Sequence, residues 1–229
     1  MVAPVMTAGV QELSAEARHH LQALHIGSEV TRWFRREREP HVLNVTPERV
    51  IAALHEAGIN GVLMGTHGIN VYRDEARATQ DVDVLVTKKD ARKAVRVLER
   101  TFPYLEVVEN AAVARFVDPV TQKVVIDVMK PASQAMHAVF RHTIAIGTTH
   151  RIPSLEMALI SKFAAMISPN RPAKKKAVDA GDFLNMAEGH LQKIDLSKLR
   201  RLADQICFGG ADKIMQFIND AKAGRVPKL

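Results

Sequence analysis

The sequence contains one cysteine, Cys207, among 229 residues. A single cysteine cannot form an internal disulfide or a cysteine-rich metal cage, and this usage is typical of proteins from reducing compartments. No run of about 18 apolar residues is present, so we expect no membrane span. The first ten residues carry no basic leader. We therefore expect a cytoplasmic protein without a secretory signal.

Aromatic residues are also scarce, with 2 Tyr, 8 Phe and 1 Trp. So few aromatic side chains argue against a stacking platform for single-stranded RNA. Any RNA contact is therefore expected to involve mainly phosphates or RNA shape. The sequence also lacks a Gly-x-Ser-x-Gly elbow, a Walker loop and a Rossmann fingerprint. These absences exclude the usual serine hydrolases, P-loop ATPases and dehydrogenases.

The composition is that of a globular protein, with 47% apolar and 25% charged residues. The net charge is +7, and residues 151–229 hold 14 basic and 8 acidic side chains, whereas the rest of the chain is nearly balanced. Such a basic third indicates a polyanionic partner, such as RNA or a nucleoside triphosphate, or else a solvated face that aids solubility. The charge pattern leaves both interpretations open.

Hydrophobic spacing divides the chain into helices, a small sheet and further helices. Helical spacing from Leu13 to Leu24, and a second apolar run that ends before Pro40, predict two N-terminal helices. Thr46 and Pro47 are a typical cap and first residue for a third helix, which Gly58 ends. The predicted strands are 59–64, 81–86, 105–109, 113–117, 123–129 and one edge strand within 144–152, and the later predicted helices are 87–100, 154–167, 173–188, 196–207 and 211–222.

This order predicts an α+β fold: a small mixed β-sheet core with flanking helices and a C-terminal helical lobe. We expect three segments, which are an N-terminal helical extension (1–45), the core (46–152) and the helical lobe (153–229).

Three acidic residues lie in predicted strands that are otherwise apolar. Asp81 and Asp83 are two residues apart, so they point to the same face of their strand. Asp127 is flanked on both sides by Val, Ile or Met residues. A buried carboxylate is costly unless it is paired or bound to a metal. Three carboxylates in one sheet therefore indicate a Mg²⁺ site, and Mg²⁺ is commonly held together with substrate phosphates.

The turn after the first predicted strand contains Gly65 and Thr66. Glycine lets the backbone approach a ligand closely, and threonine offers a hydroxyl. The segment His67–Tyr72 is expected to present helix N-terminal amides to an anion. Together with the carboxylates, this turn predicts a phosphate cradle beside a metal site.

These motifs resemble those of the nucleotidyltransferase superfold. The matching residues are Gly65-Thr66, the run Arg77-Ala78-Thr79-Gln80-Asp81-Val82-Asp83, and Asp127. With Ser154-Leu155-Glu156, Lys162 and Asp179-x-x-Asp182, the pattern is similar to the abortive-infection (AbiEii-like) nucleotidyltransferases of bacterial toxin–antitoxin systems. The resemblance covers about residues 58–186. Thr66 replaces the usual Ser or Gly, and the spacer from Gly65 to Asp81 is slightly long.

The resemblance implies roles for six residues, and Arg77 is a further candidate. Asp81 and Asp83 would bind the metals that bridge the nucleotide phosphates, and Asp127 would complete the second metal site and help deprotonate the attacking hydroxyl. Gly65 and Thr66 would hold the β- and γ-phosphates. Lys162 would reach the triphosphate or base, and Arg77 is a candidate substrate anchor.

Several charged and polar side chains near these motifs also have a structural alternative. Arg77 can instead pair with Asp74 or Glu75, and Lys162 can extend along an apolar helix face to solvent. Asp179 and Asp182 can brace the helical lobe. His67 can bind phosphate or make a local hydrogen bond.

The acceptor is left open by the sequence. Lys174-Lys175-Lys176 can grip an RNA backbone or form a solvated helix start. The hypothesis is a Mg²⁺-dependent transfer of a nucleoside monophosphate from a nucleoside triphosphate to tRNA or another RNA, a protein hydroxyl or an aminoglycoside-like molecule. A cognate antitoxin is an expected partner by resemblance. The alternative hypothesis is an inactive nucleotidyltransferase-like module that binds nucleotide or RNA.

Overall fold

A seven-stranded mixed sheet forms the centre of the protein. The computed structural model describes residues 13–132 and 134–227. Within these ranges the strands follow the order β3-β4-β5-β2-β1-β7-β6 across the sheet. The strands are β1 (Val62–Leu63), β2 (Val82–Leu85), β3 (Glu106–Glu109), β4 (Val113–Val117), β5 (Val124–Met129), β6 (Thr143–Ile146) and β7 (His150–Pro153).

Helices flank this sheet and make up the C-terminal part of the described chain. The α+β fold class is therefore confirmed. The helices are α1 (Ala15–Arg38), α2 (Pro47–Glu56), α3 (Gly65–Ile69), α4 (Ala91–Thr101), α5 (Gln134–Arg141), α6 (Leu155–Ile167), α7 (Ala173–His190), α8 (Leu196–Asp204) and α9 (Gly210–Lys222). None of the helices in the described ranges is long and apolar enough to span a bilayer.

Strand β2 is central, and its neighbours differ in direction. It pairs parallel with β5 and antiparallel with β1. The apolar residues of β2 and β5 that alternate with the acidic ones are buried, as at Val82, Val84, Ile126 and Val128. This alternation places the acidic residues on the opposite face of the same two strands.

The N-terminal prediction was wrong in one respect, because α1 is a single helix of 24 residues. Ser14 caps it by accepting a hydrogen bond from the Ala17 amide. The helix continues through Gly27, which is buried and lies close to Asn70. Tertiary packing around Gly27 therefore outweighs its poor helix propensity. The helix predicted to start at Thr46 is confirmed, with Thr46 capping and Pro47 as the first residue.

Three further segments differ from the sequence prediction. Residues 144–152 form a hairpin of β6 and β7 rather than one strand, and Gly147 takes a φ of 53° in the turn. Of these two strands, only β6 lies at an edge of the sheet, because β7 pairs parallel with β1. Helix α5 was not predicted at all. The predicted strand 59–64 contracts to Val62–Leu63.

One buried apolar cluster joins the three predicted segments. It includes Leu24 from α1, Val84 from the sheet and Phe163 from α6. The boundaries near residues 45 and 153 therefore separate parts that share a core. Their independence as domains stays a prediction.

Candidate active site

Asp83 and Asp127 lie opposite each other on the parallel strands β2 and β5. Neighbouring strands are about 4.8 Å apart, and residues in register point to the same face. Asp81 precedes β2 by one residue and lies two positions before Asp83, so it continues the same face. The structure thus brings the three predicted carboxylates to one face of the sheet.

Gly65 lies directly against the Asp83 carboxylate. The Met64 amide donates to the Asp83 carbonyl at 2.8 Å, which draws the turn onto β2. Gly65 has a φ of 57°, and a Cβ atom there would lie 1.9 Å from Asp83 Oδ2. Only glycine fits at such a distance in this left-handed conformation. The predicted closeness of the glycine turn and the carboxylates is therefore present.

The segment after this turn is less open than the sequence suggested. Residues 65–69 form α3, and Asn70–Tyr72 form a 3₁₀ turn. The amides of Gly68 and Asn70 already donate to carbonyls within this segment. These two amides are consequently not free to bind an anion, contrary to the expectation for this segment.

The three carboxylates have different electrostatic environments. Burial, reinforced by Asp81 and Asp127, raises the pKa of Asp83 to about 7. Burial also raises the pKa of Asp127, although Arg115 opposes the shift with its Nε atom 3.6 Å from Asp127 Oδ1. The Thr79 hydroxyl donates to Asp81 Oδ1.

Two of these carboxylates lack the hydrogen bonds that normally compensate burial. Within the described ranges, Asp127 Oδ1 is buried and has no hydrogen-bond partner. In the same part of the chain, neither a hydrogen bond nor an ion pair reaches the Asp83 side chain. Buried acceptors without donors are uncommon in proteins, and such sites are candidates for an ion or ligand.

The described residues contain no group of three or more His, Cys, Asp or Glu side chains arranged to hold a metal ion. The carboxylates are therefore not a complete protein cage. Mg²⁺ commonly takes only one or two carboxylates and completes its shell with water and substrate phosphates. The Asp83–Asp127 pair, in which the buried Asp127 Oδ1 atom accepts no hydrogen bond within the described residues, fits that kind of site.

A cleft of about 300 Å³ opens beside Asp83, between the sheet and α5, α6 and α7. Gly65 and Asp83 lie at one side, and Lys162, Arg171 and Asp179 contribute charged groups to its wall. The remaining wall is mostly apolar and includes Met64, Leu85, Met129, Met157, Ile160 and Ile206. The cleft combines a charged part with an apolar part, as in sites for ligands that carry both kinds of group.

Lys162 lies in the cleft wall and is held by two acidic residues of α7. Its Nζ atom is 2.9 Å from Asp179 Oδ1 and 2.7 Å from Asp182 Oδ2. Lys162 is therefore ion-paired rather than extended to solvent. The bracing role expected for Asp179 and Asp182 agrees with these contacts, and a role for Lys162 toward a triphosphate stays a prediction.

Arg77 connects the glycine turn to the helical lobe. Its Nη2 atom donates to Thr66 Oγ1 at 2.7 Å and to Asp182 Oδ2 at 3.2 Å. The partner is thus Asp182, and the expected pairing of Arg77 with Asp74 or Glu75 is not observed. Because Thr66 is 6% exposed and its hydroxyl already accepts from Arg77, Arg77 positions the turn.

Three neighbours of the site were missed or placed differently by sequence reasoning. Arg115 faces Asp127 across the β4–β5 ladder, and strand alternation in β4 was the available signal. Thr79 stands in the run that carries the resemblance, but its hydrogen bond to Asp81 was not predicted. His67 is buried, which lowers its pKa to about 4, and its Nδ1 atom has no hydrogen-bond partner among the described residues. The local hydrogen bond expected for His67 is therefore not seen at that atom.

The lysine run that was a candidate for RNA binding lies at the start of α7, where Lys174 and Lys175 are exposed.

Comparisons with known proteins found similarity only among solved structures. No family model matches the chain, and no curated protein matches it. An antigenic nucleotidyltransferase-like protein from Paracoccidioides brasiliensis is similar at 16% identity and a TM-score of 0.44, over 78% of this chain and 90% of that one.

Two further solved structures are similar at a comparable level of identity. ANT(2")-Ia, in complex with adenylyl-2"-tobramycin, has 15% identity and a TM-score of 0.46, over 69% of this chain and 93% of that one. Terminal uridylyl transferase 4 from Trypanosoma brucei, with bound GTP, has 14% identity and a TM-score of 0.29, over 76% and 74%. At such identities and scores, a function for this chain has to rest on its own residues.

Proposed function

We propose that this protein is a Mg²⁺-dependent nucleotidyltransferase, which transfers a nucleoside monophosphate from a nucleoside triphosphate to an acceptor hydroxyl. The observation that carries the proposal is the in-register pair Asp83 and Asp127, with Asp81 on the same face and Gly65 against Asp83. This arrangement concentrates negative charge that its neighbours compensate only in part, beside a glycine turn, and a cation with phosphates would relieve it.

The proposed roles follow the chemistry of phosphoryl transfer. Asp83 and Asp127 would hold Mg²⁺, with Asp81 adding negative charge on the same face, and the ion would supply neutralisation of phosphate charge and a lower pKa of the acceptor hydroxyl. The acceptor oxygen forms a bond to the α-phosphorus as the bond to the bridging oxygen of pyrophosphate breaks. Pyrophosphate leaves with that electron pair, and the hydroxyl proton passes to a carboxylate oxygen of Asp127, which is the proposed general base.

The remaining residues bind and orient the nucleotide. Gly65 would lie along the path of the β- and γ-phosphates, and Thr66, which is buried with its hydroxyl bonded to Arg77, would hold the turn in place. Lys162 contributes positive charge to the triphosphate from the wall of the cleft. Positioning and charge neutralisation supply most of the rate enhancement in such reactions.

The acceptor and partners are finer parts of the proposal. The resemblance of the motifs adds tRNA or another RNA as acceptor and a cognate antitoxin as partner. The basic residues of 151–229 favour RNA over a cationic small molecule. A cytoplasmic location stays a prediction.

The test measures label transfer from each of the four α-³²P nucleoside triphosphates in the presence of Mg²⁺. Total RNA, a protein extract and an aminoglycoside mixture serve in turn as the acceptor. Transfer to one acceptor class, abolished in Asp83→Asn and Asp127→Asn but retained in the control Asp212→Asn, supports the proposal. Asp212 suits the control because its side chain is 88% exposed. Nucleotide binding without transfer to any acceptor would favour the inactive binding module instead.

A further inference from the structure

The last two turns of α1 expose two aromatic rings among arginines. Trp33 is 68% exposed and Phe34 is 48% exposed, and their ring centroids are 5.0 Å apart at an edge-on angle of 71°. Arg32, Arg36 and Arg38 are exposed on the same stretch of helix. We call these five residues the aromatic–arginine face. Exposed large aromatic rings are unfavourable in water, so a cluster of them commonly marks a binding surface.

A second cavity, of about 280 Å³, adjoins this face. Phe34 and Arg38 contribute to its wall from α1, and Lys123 contributes a further cation. Lys123 also pairs with Glu39. Glu39 lines the cavity as well, and Ala78, Thr79 and Gln80 form its other side. The cavity therefore offers an aromatic ring and positive charge together.

This cavity is separated from the carboxylates by one side chain. Thr79 lines the cavity, and its hydroxyl donates to Asp81 Oδ1. The wall is fixed to α1, because Thr31 Oγ1 donates to the Thr79 carbonyl at 2.9 Å and Arg35 donates to the Gln80 carbonyl. A ligand in the cavity would thus lie next to the candidate active site and would be held by α1.

We infer that the aromatic–arginine face and this cavity bind the end of a single-stranded nucleic acid and lead it toward Asp81. Bases stack on exposed aromatic rings whatever their sequence, and arginines neutralise the backbone phosphates. The overall scarcity of aromatic residues suggested no stacking platform, yet two of them stand exposed side by side. That this strand is the acceptor rests on the proposed function, whereas its binding does not.

A second copy of the chain is the competing occupant of this part of α1. Ile26 and Val30 are also exposed and continue an apolar stripe toward Trp33. The last turn of α1 exposes Arg36 and Arg38 beside one acidic residue, Glu37, and pairing two such turns would bring two net positive charges together. The positive charge around the rings therefore favours a polyanion. Ile26 provides a matched control, since it belongs to the stripe but not to the aromatic–arginine face.

Trp33 is the only tryptophan of the chain, so its fluorescence reports directly on stacking. The experiment titrates the full-length protein with a short oligouridine RNA, an oligothymidine DNA and a blunt RNA duplex. EDTA is present and nucleoside triphosphates are absent. Fluorescence quenching is followed together with the anisotropy of end-labelled strands. We expect quenching by single strands in preference to the duplex, and a preference between RNA and DNA names the natural strand.

Variants assign the binding to the face. Trp33→Ala and Phe34→Ala should each weaken single-strand binding about tenfold, since one stacked base contributes about 1–3 kcal/mol. Arg38→Gln should weaken binding and lower the dependence of log K on log salt by about 0.7. Ile26→Ala should leave binding unchanged.

Several results would overturn the inference. They are absence of quenching, equal binding of the duplex, wild-type affinity in both aromatic variants, or a dimer that Ile26→Ala and Trp33→Ala both dissociate. Asp83→Asn separates this inference from the proposed function, because the variant should bind the strand and fail in transfer. If the wild-type protein binds through Trp33 but transfers no label, the proposed function fails and the binding surface stands.

Discussion

At the scale of single residues, Gly65 and Asp83 define the site by their contact. Their closeness predicts that Gly65→Ala is more harmful than the same change at another left-handed glycine. Gly58 is the matched control, because it has a φ of 69° but open space where a Cβ would lie. Gly58→Ala should cost about 1–2 kcal/mol from backbone strain alone.

Gly65→Ala should cost at least about 1 kcal/mol more than the control, since overpacking of this kind adds about 1–3 kcal/mol. Urea unfolding of both variants measures the difference. In an Asp83→Ala background the extra cost should largely disappear, because the clashing carboxylate is gone. An equal cost for both glycines in the wild-type background would show that the turn does not press on Asp83.

Asp83 itself is predicted to destabilise the metal-free protein at alkaline pH. Its pKa is raised from 3.8 to about 7 on folding, so its contribution is most favourable below pH 3.8 and is lost as the pH rises through 7. In EDTA, Asp83→Asn should therefore raise the free energy of unfolding by about 2 kcal/mol at pH 8, and the gain should shrink toward pH 4.

Asp81→Asn is the control for this change, since the Thr79 hydroxyl already compensates Asp81 and an amide oxygen can accept the same bond. Asp81→Asn should raise the free energy of unfolding at pH 8 by less than Asp83→Asn does. Urea midpoints across this pH range test both variants, and a stability loss in Asp83→Asn at pH 8 would contradict the assignment of uncompensated charge.

At the scale of elements, a buried histidine pair fastens α1 to β7. His20 Nε2 lies 3.0 Å from His150 Nε2. Thr149 Oγ1 donates to the Ile146 carbonyl, so His150 Nδ1 donates to Thr149 and its Nε2 accepts from His20. His20 Nδ1 is then an unprotonated buried atom, and it has no hydrogen-bond partner within the residues described.

Burial holds the pKa of both histidines well below the usual 6.5. The unfolded chain therefore takes up protons below about pH 6.5 that the folded protein does not, so stability falls as the pH drops below that value. His20→Gln should reduce the loss of stability between pH 7 and pH 5 by about 2 kcal/mol. Urea unfolding at the two pH values measures this loss.

The exposed His55 provides the control, and His55→Gln should retain the wild-type pH dependence. A wild-type slope in His20→Gln would show that His20 takes up its proton equally in the folded and the unfolded protein.

At the scale of the whole molecule, the shared apolar core predicts a single cooperative unfolding transition. The cluster runs from α1 through the sheet to the helical lobe. Arg35, which is 3% exposed, adds hydrogen bonds from α1 to the carbonyls of Val42, Val45 and Gln80. Separate unfolding of α1 or of the lobe would expose apolar surface on the remainder, which is unfavourable.

Trp33 fluorescence reports on α1, whereas far-ultraviolet circular dichroism reports on all helices. The two probes should give the same urea midpoint within error. A fluorescence midpoint at a lower urea concentration than the circular-dichroism midpoint would show that α1 detaches first. A circular-dichroism curve with two steps would show that residues 153–229 form an independent domain. The outcome also tests the three predicted segments.

The sequence by itself determined the features that depend on local rules. The side-chain period of two in a strand places Asp81 and Asp83 on one face, and the Thr46-Pro47 pair starts a helix. The apolar neighbours of Asp127 showed that its carboxylate needs compensation.

Only the tertiary structure decided which distant residues meet. Packing placed Asp83 in register with Asp127 and gave Arg77 its partner. Packing also made α1 one continuous helix through Gly27. The exposure of Trp33 was settled in the same way. Strand order and side-chain partners depend on the free energy of the whole core, and no local pattern in the chain encodes them.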